Sequence, residues 1–189
     1  MNYPSGIKKK TVKDINYGNR GMSLESDINI SNEYYLMNDI AIIHKKPTPI
    51  RVCRVDYPSR LEAVIKEAYY KVPSTTDYNG IYKGKYLDFE AKETKNKTAF
   101  PLSNIHEHQI KHLESIIRHG GIGFIIVSFT TISKIYLLKA EDLMNFINTN
   151  SRKSIPIKYF EANAYLLKYK INPRLDYLKA IDIMYRGEF

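Results

Sequence analysis

Between Ser74 and Thr94 the chain reads STTDYNGIYKGKYLDFEAKET. An acid, Asp77, is followed thirteen residues later by Glu90, Ala91 and Lys92. In a strand, side chains two apart share a face, so Glu90 and Lys92 point one way and Ala91 the other. A hairpin closing around Lys83-Gly84-Lys85 sets the root of its first arm beside the far end of its second. Asp77 and Glu90 then converge, with Lys92 next to them. Two carboxylates held a few ångströms apart repel unless a cation sits between them. Hard oxygen donors of this kind suit Mg²⁺, with Mn²⁺ as a substitute. A fixed ammonium at the same centre can orient a nucleophile or stabilise the charge that develops on an attacked phosphate. Together these residue types suit phosphodiester hydrolysis. The spacing alone leaves a second reading open, an exposed cross-strand ion pair contributing under about 1 kcal/mol. Glu93-Thr94-Lys95 repeats the Glu-x-Lys pattern on the opposite face of the same strand.

These residues must be positioned by the elements around them. Ser23 is placed to cap a helix that carries Leu24, Ile28, Tyr34 and Tyr35 and gives way to strand near Asp39. AIIHKK reads as a short strand, and PTPIRVCRV as a turn followed by another. Residues 56–72 place Leu61, Val64, Ile65 and Ala68 at helical intervals, although Val, Ile and Tyr also suit a strand. The hairpin arms fall at 78–83 and 85–93. A helix is predicted over 104–119, closed by Gly120-Gly121. Strands follow at 122–130 and 132–139, the first apolar enough for a sheet centre. A helix opens at Glu141-Asp142 and another spans 174–185. The pattern is α/β: a single domain with a central mixed β-sheet flanked by helices. Residues 1–20 form a polar basic arm ahead of it, and 21–189 the domain proper.

The chain has 189 residues, 29 basic against 20 acidic, for a net charge of +9. That excess fits a polyanionic partner. The one cysteine, Cys53, excludes an intrachain disulfide and a four-cysteine zinc site, and reads as a small strand residue. The longest apolar run, Ile122 to Phe129, is far shorter than the roughly 20 residues that cross a bilayer. No signal-peptide pattern opens the chain. A soluble, cytoplasmic protein in a reducing compartment, without a membrane partner, is the expectation.

Five blocks, NRGMSLE (19–25), HKKPTP (44–49), STTDYNG (74–80), LDFEAKET (87–94) and FPLSNIHEHQ (100–109), occur in an order that resembles the RecU family of Holliday junction resolvases. That family lies within the PD-(D/E)xK nuclease superfamily, from whose broad pattern the chain departs by having Thr76, not Pro, before Asp77. The resemblance implies a restriction-endonuclease-like core with a projecting stalk at about 47–71. It also implies an Mg²⁺-dependent endonuclease, acting as a homodimer, that nicks four-way junction DNA symmetrically in recombination and repair. Asp77, Glu90 and Lys92 take the catalytic positions. Thr75 and Gln109 join Asp77 and Glu90 as metal-site positions, and Glu25 is a supporting candidate. Arg20, Lys45, Lys46, Arg51, Arg54 and Arg60 are the candidate DNA contacts, with a recombinase or a branch-migration helicase as candidate protein partners. A restriction-type duplex endonuclease and a non-catalytic junction-binding protein are the alternatives.

Four of the five histidines, His106, His108, His112 and His119, lie within fourteen residues. His108 and His112 share a helix face at a spacing that zinc enzymes use. No HExxH, cysteine or acid cluster completes a zinc set. A helix flank near DNA or the metal pocket is the better reading.

Overall fold

The computed structural model describes residues 23–59, 62–71 and 75–187. The basic arm, with Arg20, and Arg60 lie outside the described residues. In chain order the elements are α1 (Leu24–Met37), β1 (Ile42–Lys45), β2 (Ile50–Asp56), β3 (Val64–Tyr70), β4 (Tyr78–Tyr82), β5 (Lys85–Thr94), β6 (Ala99–Pro101), α2 (Glu107–Arg118), β7 (Ile122–Phe129), β8 (Lys134–Lys139), α3 (Ala140–Thr149), β9 (Ser154–Pro156), α4 (Ile157–Asn163), β10 (Tyr165–Leu167) and α5 (Tyr177–Met184).

Six strands form one mixed sheet in the order β1-β4-β5-β7-β8-β10. Only β5 and β7 run parallel, and every other pairing in this sheet is antiparallel. Alternation along β5 separates two cores. Leu87 and Phe89 lie beside Ile122 and Phe124 of β7 and pack with α1 and α5. On the opposite face, Ile125 and Val127 of β7 join Leu113, Leu143, Phe146 and Phe160 from α2, α3 and α4. The result is a three-layer α/β fold with helices on both sides of the sheet, as the pattern predicts. The all-buried β7 matches its apolar sequence.

The expected helical reading of 56–72 is corrected by the structure. Residues 64–70 are strand β3, paired antiparallel with β2 in a two-stranded ribbon separate from the main sheet. Its β-branched and aromatic residues suit that pairing, and every residue of both strands is exposed. The apparent helical period has no apolar face to bury. Four short elements, β6, β9, α4 and β10, have no counterpart in the sequence pattern. The strands among them are three residues long, too short for a periodic signal.

The β4–β5 hairpin turns through two residues, Lys83 and Gly84, both with positive φ (48° and 76°). That geometry matches the right-handed twist of the flanking strands. At Gly80 a Cβ would sit 2.2 Å from the Ile42 carbonyl oxygen, so β1 can close on β4 only because no side chain is there.

Candidate active site

The two-residue turn fixes the register Tyr78↔Phe89 through Tyr82↔Lys85. One step beyond Tyr78↔Phe89, Asp77 meets Glu90. The Asp77 backbone N–H donates to Glu90 Oε2 at 3.0 Å, and the Ala91 N–H donates to Asp77 Oδ2 at 3.2 Å. Each carboxylate is thus held by a backbone bond to the opposite strand. Lys92 Nζ lies 2.6 Å from Glu90 Oε1. The convergence read from the spacing is present, but its setting is interior. β5 is an inner strand of the sheet, and Glu90 is fully buried. An exposed cross-strand ion pair is therefore not what this is.

Burial, and after it the neighbouring Asp77 carboxylate, push the Glu90 carboxyl up to about 7, against the opposing pull of Lys92. Glu90 Oε1 is buried and faces the Lys92 ammonium at 2.6 Å, while Oε2 accepts the Asp77 backbone N–H. Two carboxylates side by side, Glu90 buried and Asp77 partly buried, are a donor set that fits a hard divalent cation. No cluster of three or more His, Cys, Asp or Glu side chains arranged for a metal exists among the described residues. Any cation here would complete its shell from neutral oxygens.

The family resemblance implies two neutral donors. Gln109 is buried in the first turn of α2. Its Oε1 accepts the His106 N–H at 3.0 Å, so the amide already serves as a helix-start bond. It shares a helix face with His112, which touches β5 at Asp88. Thr75 is half-buried two residues before Asp77.

Glu25, in the first turn of α1, forms an ion pair with Lys45 at 2.5 Å; both side chains are nearly half exposed. Glu25 lines a cleft of about 270 Å³ with Ser23, Leu24, Ala91, Lys92 and Glu93, so the structure brings it to the same recess as Lys92. Ser23 caps α1 as predicted, accepting the Ser26 N–H at 3.3 Å. Glu93 serves to position α1. Its Oε1 accepts the Leu24 N–H at 2.6 Å and anchors the N-terminus of that helix to β5.

Among the candidate DNA contacts, Arg51 and Arg54 are exposed on β2, and Lys45 is engaged with Glu25. Lys46 makes contacts inside the protein. Its ammonium turns inward, 2.7 Å from Asp88 Oδ2 and 2.9 Å from Thr76 Oγ1, with the side chain 18% exposed. Asp88 and Thr76, both buried, are site neighbours that the sequence motifs do not single out. Strand alternation is the signal that could have found Asp88, since it precedes Glu90 by two and shares its face. Of the histidines, His112 lies 3.2 Å from Asp88, while the His106 and His108 rings stack at 5.4 Å. No helix among the described residues is long and apolar enough to cross a membrane.

The family model of recombination protein U, RecU, matches residues 19–183. A Holliday junction resolvase RecU from Lactiplantibacillus plantarum is 56% identical over 182 residues, covering 95% of this chain and 88% of its own length. The protein of that name from Geobacillus sp. is 56% identical, with 90% and 86% covered. The one from Bacillus cytotoxicus is 51% identical, with 98% of each covered. Among solved structures, the Holliday junction resolvase Hjc of Archaeoglobus fulgidus overlays 74% of this chain and 90% of its own, at 11% identity and a TM-score of 0.43. With a family match across nearly all the described residues and relatives above half identical, the chain belongs to the RecU family.

Proposed function

We propose that the protein is a Holliday junction resolvase, a divalent-metal-dependent endonuclease that nicks four-way DNA junctions symmetrically during homologous recombination and repair. The observation that carries this reading is the meeting of Asp77, Glu90 and Lys92 at one end of the β4–β5 hairpin, in a family whose curated relatives bear that name.

Asp77 and Glu90 hold the cation, with Gln109 and Thr75 as the neutral oxygen donors that the family resemblance implies. Mg²⁺ is the proposed resident and Mn²⁺ a substitute, because two carboxylates with neutral oxygens suit a small hard ion. Bound there, the cation supplies charge to polarise the scissile phosphate and acidify an attacking water. Lys92 acts from the chain itself: its ammonium is fixed by Glu90 at the mouth of the site and opposes negative charge building on the phosphate. The sheet keeps both carboxylates rigid, so little reorganisation is left for the reaction.

Recognition rests on shape and phosphate contacts. Arg51 and Arg54 on the exposed ribbon are the proposed contacts to junction phosphates, with Lys45, Arg20 and Arg60 as further ones. A homodimer with two-fold symmetry matches two opposed cuts in a pseudo-symmetric substrate. Recombination proteins such as a recombinase or a branch-migration helicase are the proposed partners, on DNA in the cytoplasm.

The test compares nicking of a four-way junction with nicking of a linear duplex of the same sequence in Mg²⁺. Selective, paired nicks on opposing junction strands are expected. Equal rates on both substrates would assign the protein to duplex cleavage, and binding without cleavage in either metal would reduce it to a junction-binding protein.

A further inference from the structure

Two residues before Glu90 on the same face of β5, Asp88 is fully buried, and its carboxylate gathers polar neighbours from three other stretches of chain. Lys46, just past the end of β1, approaches Oδ2 at 2.7 Å. Thr76 donates its hydroxyl to Oδ1. His112 Nε2, from α2, stands 3.2 Å from Oδ2. Tyr86, on β5 itself, donates to Oδ2 at 3.0 Å. Lys46 doubles the link, because its Nζ also bonds Thr76 Oγ1 and its backbone N–H donates to the Asp77 carbonyl at 2.7 Å.

The position of these residues in the chain gives the cluster its meaning. Lys46 is the last residue before the chain leaves through Pro47 toward the β2–β3 ribbon. Thr76 lies just after the chain returns and just before Asp77. One clasp therefore joins the root of the ribbon, the segment carrying one site carboxylate, the strand carrying the other, and the helix carrying Gln109. A buried ion pair gives little net stability over well-packed apolar side chains of the same volume, because desolvation offsets the Coulomb attraction. What directional bonds add is a single geometry, and the segment they fix ends at Asp77.

Resting on the assignment of Asp77 and Glu90 as the metal site, we propose that Lys46 and Asp88 are a positioning pair: they hold Thr76 and the Asp77 carboxylate in register with Glu90 and tie that register to the ribbon root. Neither touches the metal or the reacting phosphate. This assigns Lys46 a role different from direct phosphate contact, and the two roles predict opposite results.

The test uses full-length Lys46→Met, Asp88→Asn and the double variant. Mn²⁺ affinity is measured by calorimetry on the DNA-free protein, junction affinity in EDTA across a salt series, and single-turnover cleavage in Mg²⁺. Each single variant is expected to weaken Mn²⁺ binding about tenfold and slow cleavage by a similar factor, as supporting partners of metal ligands do elsewhere. The double variant should be no worse than the poorer single, because the two residues act as one unit. Junction affinity in EDTA should stay within about twofold, since no phosphate contact is removed.

If Lys46→Met instead weakens junction binding, lowers the salt slope by about one and leaves Mn²⁺ affinity intact, Lys46 is a DNA contact and the proposal is overturned. A lowered Tm in Asp88→Asn with unchanged Mn²⁺ affinity makes the cluster merely structural and overturns it as well. Should Asp88→Asn not fold, Thr76→Val removes only the hydroxyl link. A roughly threefold loss of Mn²⁺ affinity is then expected, and no loss overturns the proposal. Asp77→Asn separates the two layers of inference. If that variant cuts and binds Mn²⁺ like the parent, the site assignment itself fails; if it is inactive while Lys46→Met and Asp88→Asn behave as the parent, only the positioning role fails.

Discussion

Two antiparallel hairpins follow one another along this chain and end up in opposite surroundings. In β4–β5, Tyr78 stacks on Phe89 at 4.9 Å between ring centres, and Phe89 on Phe124 at 4.5 Å, deep in a core. In β2–β3, Ile50, Val52, Val55, Val64 and Ile65 are all 42% exposed or more. The register of β4–β5 is continuous, while that of β2–β3 shifts around Cys53 and Arg54. The contrast shows where each kind of chemistry can be placed. Carboxylates that must hold a cation at fixed geometry need a packed sheet behind them. On the proposed function, the exposed ribbon with its basic side chains is the surface that would meet phosphates, whose contacts set position and orientation on the DNA.

The comparison is most sharply tested by exchanging loss of chemistry for loss of binding. Asp77→Asn and Glu90→Gln should each lower junction cleavage about 10³-fold or more while leaving affinity in EDTA nearly unchanged. Retained cleavage in either would remove the hairpin from the active site. Lys92→Ala should cost about 10²-fold in single-turnover rate, with the Mg²⁺ requirement preserved.

Packing offers the next test. Phe89→Ala should destabilise the protein by about 3–5 kcal/mol in urea unfolding, whereas Val55→Ala on the ribbon should change it by less than about 0.5 kcal/mol. Equal effects would mean that the ribbon is buried in the free protein. Arg51→Ala combined with Arg54→Ala should weaken junction binding and lower the slope of log K against log salt by about two, with the cleavage rate at saturation unchanged.

A further test is the pH dependence of stability. The folded Glu90 carboxyl titrates near 7, above the ordinary glutamate value of 4.5. The folded state therefore holds a proton that the unfolded state has released, and metal-free stability should fall as pH rises from about 4.5 to 7. Glu90→Gln should flatten this slope in EDTA melting curves, and saturating Mg²⁺ should offset it in the parent. A parent whose stability rises over that window would show that Lys92 outweighs burial.

The hairpin and most helices are legible in the sequence because their signals are local. Lys83-Gly84 suits a turn with positive φ, Ser23 is a helix cap, and IGFIIVSF can sit only where both faces are covered. Residues 56–72 are ambiguous because Leu61, Val64, Ile65 and Ala68 fit a helical period while their neighbours' residue types fit a strand. The partner strand β2 decides between them, and pairing is not a local property. The same limit hides Thr76 and Asp88, whose roles arise only when Lys46 and His112 arrive from 30 or more and 24 residues away in sequence.

By itself, then, the sequence determined the α/β class, the turn that sets Asp77 opposite Glu90, the shared face of Glu90 and Lys92, and the family through five ordered blocks. The first three follow from backbone periodicity and steric preference, which each short stretch carries within itself, and the family from the resemblance that the blocks carry. The tertiary structure alone decided that Glu90 is buried and its proton held up to about 7, that Glu93 anchors α1, and that Lys46 faces inward. Those properties are set by desolvation and by neighbours brought in from distant parts of the chain, and both exist only once the sheet has closed.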